Sequence, residues 1–240
     1  MAKLVWDKSG ERFFEAGVKY GVLYPMKDVH TENETTKYEA GVVWNGLTGV
    51  TETPEGAEPN DLWADNMKYA TLRSEESFNF GIEAYMYPEE FAVCDGSYAY
   101  EDGVLVGQQK RKAFGFCFRT EVGSDEHSGI DAGYKLHIIW NATASPSERS
   151  YETINDSPDA ITFSWDCTTT PVVVAAKDSN NKTLKPVSEI IIDSTKADAT
   201  KLGTLEAILY GSDGNGGADA AGRDADQPSG PLRTQRKSRL

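Results

Sequence analysis

The stretch GYKLHIIWNATA, residues 133–144, decides the fold. Tyr134, Leu136, Ile138 and Trp140 fall on one side of an extended chain, and Lys135, His137 and Ile139 fall on the other. Side chains of a strand alternate between two faces, so this period of two marks a strand. The pattern recurs on either side. Upstream, Phe114, Phe116 and Phe118 share a face, and so do Phe78, Phe80, Ile82, Ala84 and Met86, with Asn79, Gly81, Glu83 and Tyr85 opposite. Nearer the start, Val18, Tyr20, Val22 and Tyr24 alternate with Lys19, Gly21 and Leu23 and end at Pro25. Downstream, Ile161, Phe163 and Trp165 repeat it. Half-buried alternation repeated this often predicts a mainly β fold, an antiparallel sandwich or barrel. Trp140 and Trp165 belong to this alternation and are expected to point inward.

Two stretches read as helix. Pro88 to Cys94 opens with proline and the acids Glu89 and Glu90, which suit the positive end of a helix dipole, and stops at Asp95-Gly96. From about Thr195 to Tyr210, Leu202, Leu205, Ile208 and Leu209 make an apolar stripe with Gly211 as its cap, and Gly203 is a place where the helix could break. Residues 27–40 are polar and predict a hairpin tip. Residues 44–73 carry Trp44, Leu47, Leu62 and Trp63 among Gly, Asn, Pro and acids, and predict one long irregular loop. A loop of that length tends to be functional or to form an interface, so these four residues are candidate anchors for a neighbouring copy. The basic run Lys110-Arg111-Lys112 is a candidate partner for a neighbour's acids.

Residues 1–211 form the expected β domain. Residues 212–240 are rich in Gly, Ala and Asp and end with Arg233, Arg236, Lys237 and Arg239, which predicts a flexible tail with a basic end. The formal charge of −14 works against nucleic-acid binding through phosphate contacts. No window approaches the roughly 18 apolar residues of a membrane span, and the first residues lack the apolar stretch of a secretory signal. Cys94, Cys117 and Cys167 are widely spaced with no CxxC pair, which predicts buried free thiols and synthesis in a reducing cytoplasm.

The chemistry-bearing residues make no constellation. His30, His127 and His137 show no metal-ligand spacing with a second His or Cys, and G-x-S-x-G is missing, so neither a catalytic residue nor a cofactor or metal is assigned. Glu83, Glu89, Glu90 and Asp95 are the carboxylates a glycoside hydrolase would draw on. Glu89 and Glu90 are better explained by a helix start, and Asp95 by its turn.

Four strings carry more. GVVWNGLTGVTETPEGAEPNDLWADNMKYATLRSEESF, EAYMYPEEFAVCDG, GQQKRKAFGFCFRTEVG and GYKLHIIWNATASPSERSYETINDSPDAITFSWDCTTTPV occur in order over roughly residues 2–211. Together they closely resemble the major tail proteins of long-tailed bacteriophages of Gram-positive hosts, the phi13-type major tail protein family. The resemblance implies a tail-tube-type fold of two packed antiparallel sheets with a short flanking helix, which Pro88–Cys94 would supply. It implies a structural role and no enzymatic one. Subunits would form hexameric rings that stack into the tail tube of the virion, a conduit for DNA ejection. The implied partners are the chain itself, the tape-measure protein, the tail terminator and the distal tail protein, with DNA passing the lumen unbound and no membrane involved. The ending PSGPLRTQRKSRL departs from the family pattern, so no role carries beyond Gly211. The alternative from another class is a β-sandwich module of a virion that binds carbohydrate or decorates its surface, with exposed aromatics as stacking platforms.

Overall fold

The computed structural model of the chain describes residues 4–28, 37–126, 132–151, 153–154, 160–177 and 180–211. Through them run β1 (Phe13–Pro25), β2 (Val42–Trp44), β3 (Leu47–Gly56), β4 (Pro59–Ala64), β5 (Met67–Arg73) and β6 (Glu76–Ala84). There follow β7 (Tyr98–Glu101), β8 (Val104–Val106), β9 (Phe114–Ser124), β10 (Gly133–Ala144), β11 (Phe163–Thr169), β12 (Glu189–Asp193) and one helix, α1 (Ala199–Tyr210). The fold is mainly β, as the alternation requires.

Eight strands make one antiparallel sheet in the order β2-β1-β9-β10-β11-β6-β3, with β12 also paired to β10. The expectation of two separate sheets is corrected here, because one continuous sheet supplies both walls of the core. The reason lies in β10. Its first half pairs with β12, from Lys135↔Asp193 to Ile139↔Glu189, and its end pairs with β11 from Ala142 to Ala144. Between them the register with β9 shifts, and Asn141 takes a φ of 50°. An irregularity of this kind bends a strand and increases its twist. The two ends of the sheet, β2 and β3, are joined by Asn45 and Gly46 alone. That corner is held by Tyr85 N–H donating to Gly46 O at 2.8 Å and Trp44 Nε1 donating to Met86 O at 2.9 Å. Gly21 of β1 lets the edges approach: a Cβ there would lie 2.3 Å from Leu47 Cδ1 and 3.1 Å from Trp44 O.

The interior is aromatic. Phe80, Phe91, Phe114, Phe116, Trp44 and Trp165 are all buried in one cluster with Leu23, Ile82 and Ile139. Trp165 meets Phe91 edge-on at 5.0 Å and Trp44 at 5.6 Å, an arrangement that sets the positive ring edge against a negative ring face. The opposite face of β1, β9, β10 and β12 carries Val22, Cys117, Leu136 and Ile138 and is covered by Leu202, Leu205 and Leu209 of α1. Asp198 caps that helix by accepting from Thr200 N and Lys201 N, and Gly211 ends it at φ 85°. Polar ties fix its docking: Arg119 meets Glu206 at 2.5 Å, and Tyr134 Oη donates to Glu206 at 2.7 Å.

Several expectations shift. Residues 44–73 are not an irregular loop, since β3, β4 and β5 occupy most of them. Pro88–Cys94 holds only a single 3-10 turn at Glu89–Phe91, too short for a flanking helix, so α1 is the element that flanks the sheet. The helix begins at Ala199, later than Thr195, and Gly203 does not break it. Ile208 is 75 % exposed and drops out of the apolar stripe. In β1, register shifts between Ala16 and Lys19 and again before Val22 reset the alternation. Val18 therefore packs on the aromatic core with Leu23, whereas Val22 and Tyr24 lie under α1 and Tyr20 is exposed. Met86 and Ile161 lie beyond the ends of β6 and β11 and are exposed.

Candidate functional site

The region read as a loop is an arm. β3 pairs with β6 from Leu47↔Ala84 out to Gly56↔Glu76, and β4 pairs with β5 from Pro59↔Arg73 to Ala64↔Met67. The two ladders are thus successive stretches of one hairpin. Gly56 and Ala57, at φ 88° and 55°, interrupt it between them. Its tip turns at Asp65-Asn66, both with positive φ, the requirement of a type I′ turn whose twist matches the flanking strands. The base of the arm belongs to the curled sheet. The outer half does not, because every residue of β4 is exposed and every residue of β5 except Ala70.

The outer half is nevertheless apolar in places. Leu62, Trp63, Met67, Tyr69 and Leu72 are exposed, with Trp63 at 69 % and Tyr69 at 74 %. An isolated two-stranded ribbon is marginal in water, and these groups lie outside the buried clusters of the sheet. The arm's polar contacts are local. Lys68 Nζ lies 2.8 Å from Asp61 and Thr71 donates to Asp61 at 2.7 Å, and these two hydrogen bonds, Lys68 first, hold the Asp61 carboxyl below its ordinary range. Glu55, Glu58, Asp61, Asp65, Glu75 and Glu76 give the arm an acidic character.

A second exposed ribbon forms a separate two-stranded sheet. β7 and β8 form a hairpin of their own around Asp102-Gly103, with Gly103 at φ 80°. Tyr98, Tyr100, Val104, Leu105 and Val106 are all exposed on it. Sequence reasoning passed over this ribbon, although Asp-Gly between Tyr-Ala-Tyr and Val-Leu-Val is a hairpin signal that could have found it.

Of the four candidate anchors, two fall inside and two outside. Trp44 is 2 % exposed and ringed by Phe91, Phe116 and Trp165, and Leu47 is half-buried against the same core. Both pack into the domain's own core, Trp44 with almost no surface exposed. Leu62 and Trp63 stand on the outer arm. The basic run divides in the same way. Lys110 is exposed, while Arg111 donates to Ala144 O at 3.0 Å and lies 3.6 Å from Asp95. Lys112 meets Glu39 at 2.8 Å and Asp28 at 3.2 Å. Two of the three cations are thus engaged within the chain. Asp95 is committed too, to Arg111, to Arg149 and to Trp165 Nε1, which donates at 3.1 Å. Glu83, Glu89 and Glu90 are exposed.

The histidines differ among themselves. His30 and His127 lie outside the described residues, as does the tail 212–240. His137 is buried, stacked on Phe118 at 4.5 Å, with Glu15, Glu52 and Glu189 around its ring nitrogens. Cys94, Cys117 and Cys167 are buried free thiols, and burial pushes Cys94 up to about 12 and Cys117 up to about 11. No helix among the described residues is long and apolar enough to cross a membrane.

These features define a class: a mainly β domain whose curled sheet extends into an apolar-tipped arm and a second exposed ribbon. No protein-family model matches the chain, and no curated protein matches it either.

Proposed function

We propose that this chain is a structural subunit that assembles with copies of itself into stacked hexameric rings, the tail tube of a long-tailed phage. The observation that carries the reading is the outer arm, where Leu62, Trp63, Met67, Tyr69 and Leu72 are exposed on a two-stranded ribbon. Docked on an adjacent subunit or ring, the ribbon gains packing that the described residues of its own chain do not supply, with aromatic residues as the strongest anchors. Sheet edges at β2, β3 and β12, each with one ladder partner among the described residues, suit the same end, because ring closure pairs edges that would otherwise aggregate. The resemblance of residues 2–211 supplies the rest of the reading: a lumen that passes DNA, a tape-measure protein inside it, and terminator and distal tail proteins at its ends. A charge of −14 suits a wall that DNA slides along without adhering.

Negative-stain microscopy of the purified full chain at high concentration tests this. Rings or tubes are expected. A monodisperse monomer, missing also from purified virions, would sink the proposal. The exposed Trp63 and Tyr69 favour one second reading, a virion module that stacks these rings on sugars. Glycan binding by a chain that stays monomeric would establish that reading instead.

A further inference from the structure

One end of the interior is polar. Along the inward face of β9 and β10 the aromatic run Phe114, Phe116, Phe118 gives way to Thr120, with Lys135 and His137 beside it. Here β1, β3 and β12 each send in a glutamate: Glu15, Glu52 and Glu189. The side chain of His137 is 7 % exposed and that of Glu189 14 %, while Glu52 closes the cluster toward solvent at 37 %.

Hydrogen bonding decides how the imidazole stands. Lys135 pairs with Glu15 Oε2 and Thr120 Oγ1 donates to Glu15 Oε1. Lys135 and Thr120 thus hold the two oxygens of the Glu15 carboxyl. The single hydroxyl hydrogen of Thr120 is therefore used, and its oxygen, 3.2 Å from His137 Nε2, is left to accept. That makes Nε2 the donor to Thr120 and leaves Nδ1 facing the carboxylates. Nδ1 lies 3.3 Å from Glu189 Oε1 and 3.4 Å from Glu52 Oε1. Two carboxylate oxygens thus converge on a buried ring nitrogen, an arrangement that a proton or a metal cation at Nδ1 would satisfy.

We propose that Glu52, His137 and Glu189 form a binding site for a divalent transition-metal ion of the zinc type. Ligand atoms about 2.0–2.1 Å from a tetrahedral ion stand roughly 3.3 Å apart, which is the separation of Nδ1 from both carboxylates. All three ligand atoms lie within 4.8 Å of one another. One imidazole with two carboxylates suits zinc, and Thr120 and Glu15 form the outer shell that orients a ligating histidine through its far nitrogen. The ion would tie β3 across the interior to β10 and β12, strands that the ladder order leaves far apart. This site stands or falls independently of the tube reading.

The test uses the full chain, stripped with EDTA and returned to metal-free buffer. Zinc chloride is titrated in by calorimetry and cobalt chloride by visible absorption, with thermal unfolding run alongside. Uptake of one equivalent, a raised unfolding midpoint and the visible bands of a low-coordinate cobalt ion are expected. Glu52→Gln, at an exposed position that leaves the fold intact, weakens zinc binding at least about tenfold, and Thr120→Val does so by about tenfold to a hundredfold. These two carry the test if His137→Ala fails to fold. A native chain that takes up no zinc overturns the proposal. So does a chain whose affinity is the same in Glu52→Gln and Thr120→Val, since the ion would then sit elsewhere on an acidic surface.

Discussion

The interior of the curled sheet and the outer half of the arm are built from similar residues put to opposite use. Trp44 and Trp165 are 2 % and 1 % exposed, while Trp63, on a strand of the same chain, is 69 % exposed. The interior tryptophans meet rings on several sides and donate their indole N–H groups to Met86 O and to Asp95. Trp63 stands on a ribbon that, among the described residues, has one partner strand and no second layer. A residue type therefore does not announce its role; the number of layers around it does. Where two walls of sheet enclose an aromatic group it is buried, and where only one ribbon carries it the group stays exposed.

The comparison breaks most easily in the interior. Phe116 is fully buried, with ring centroids 5.5 Å from Trp44, 6.1 Å from Phe80 and 5.7 Å from Phe118. Phe116→Ala is expected to destabilise the chain by about 3–5 kcal/mol in denaturant unfolding, through lost transfer energy and the cavity left behind. The buried thiols give an independent readout. Cys117, pushed up to about 11 by burial, holds little thiolate near neutral pH, so thiol reagents are expected to label the native protein slowly and the Phe116→Ala variant faster.

Asp95 comes next, because it stands where core and ribbon join. It follows the 3-10 turn, precedes Gly96 at φ 80°, and takes Trp165 Nε1, Arg111 and Arg149 on its two oxygens. Asp95→Ala leaves an indole N–H and two guanidinium groups without their acceptor and is expected to cost about 2–3 kcal/mol. If stability were unchanged, the ribbon would be rooted elsewhere.

The arm is expected to show the reverse profile. Trp63→Ala should leave monomer stability within about 0.5 kcal/mol, since nothing in the domain packs behind an exposed surface residue. Assembly should weaken by about 2 kcal/mol per interface, roughly thirtyfold, as for a central aromatic anchor. Sedimentation across a concentration series measures one and chemical unfolding the other. Normal assembly by the variant would remove the arm from the contact.

How legible these two regions are in the sequence follows from the same difference. β6 and β11 alternate because a core lies on one side of them, while β9 and β10 carry the aromatic core on one face and the cluster under α1 on the other, and hydrophobic period is the trace a core leaves. β4 and β5 have no core, so Asn60-Asp61-Leu62-Trp63 shows no period and reads as loop, and only the turn at Asp65-Asn66 betrays a hairpin. In β1 the period is present but misleads, since the shifts at Lys19 and Val22 swap faces midway. The cluster at His137 was invisible for another reason. Glu52 and Glu189 are 137 positions apart, and only the curl of the sheet places them together. Trp44 was misassigned because an aromatic flanked by Asn45-Gly46 resembles a loop residue, whereas that corner is where the sheet closes.

The smallest effects are expected on the helix that covers the outer face, and they have opposite signs. Asp198 accepts from two N–H groups of the first turn, so Asp198→Ala should destabilise α1 by about 1 kcal/mol. Gly203 sits mid-helix at a point where an added Cβ meets nothing within 4 Å. Gly203→Ala should therefore stabilise by about 0.5–1 kcal/mol, through the lower entropy of the unfolded chain. Both shifts are to be read in amide exchange of α1 and in the unfolding midpoint. If Gly203→Ala instead weakened assembly while stabilising the monomer, the bare patch beside it would join the arm as a surface shaped for a neighbouring copy. If assembly were untouched, α1 would be a cover for the sheet and nothing more, and the division between complete core and waiting ribbon would stand as drawn.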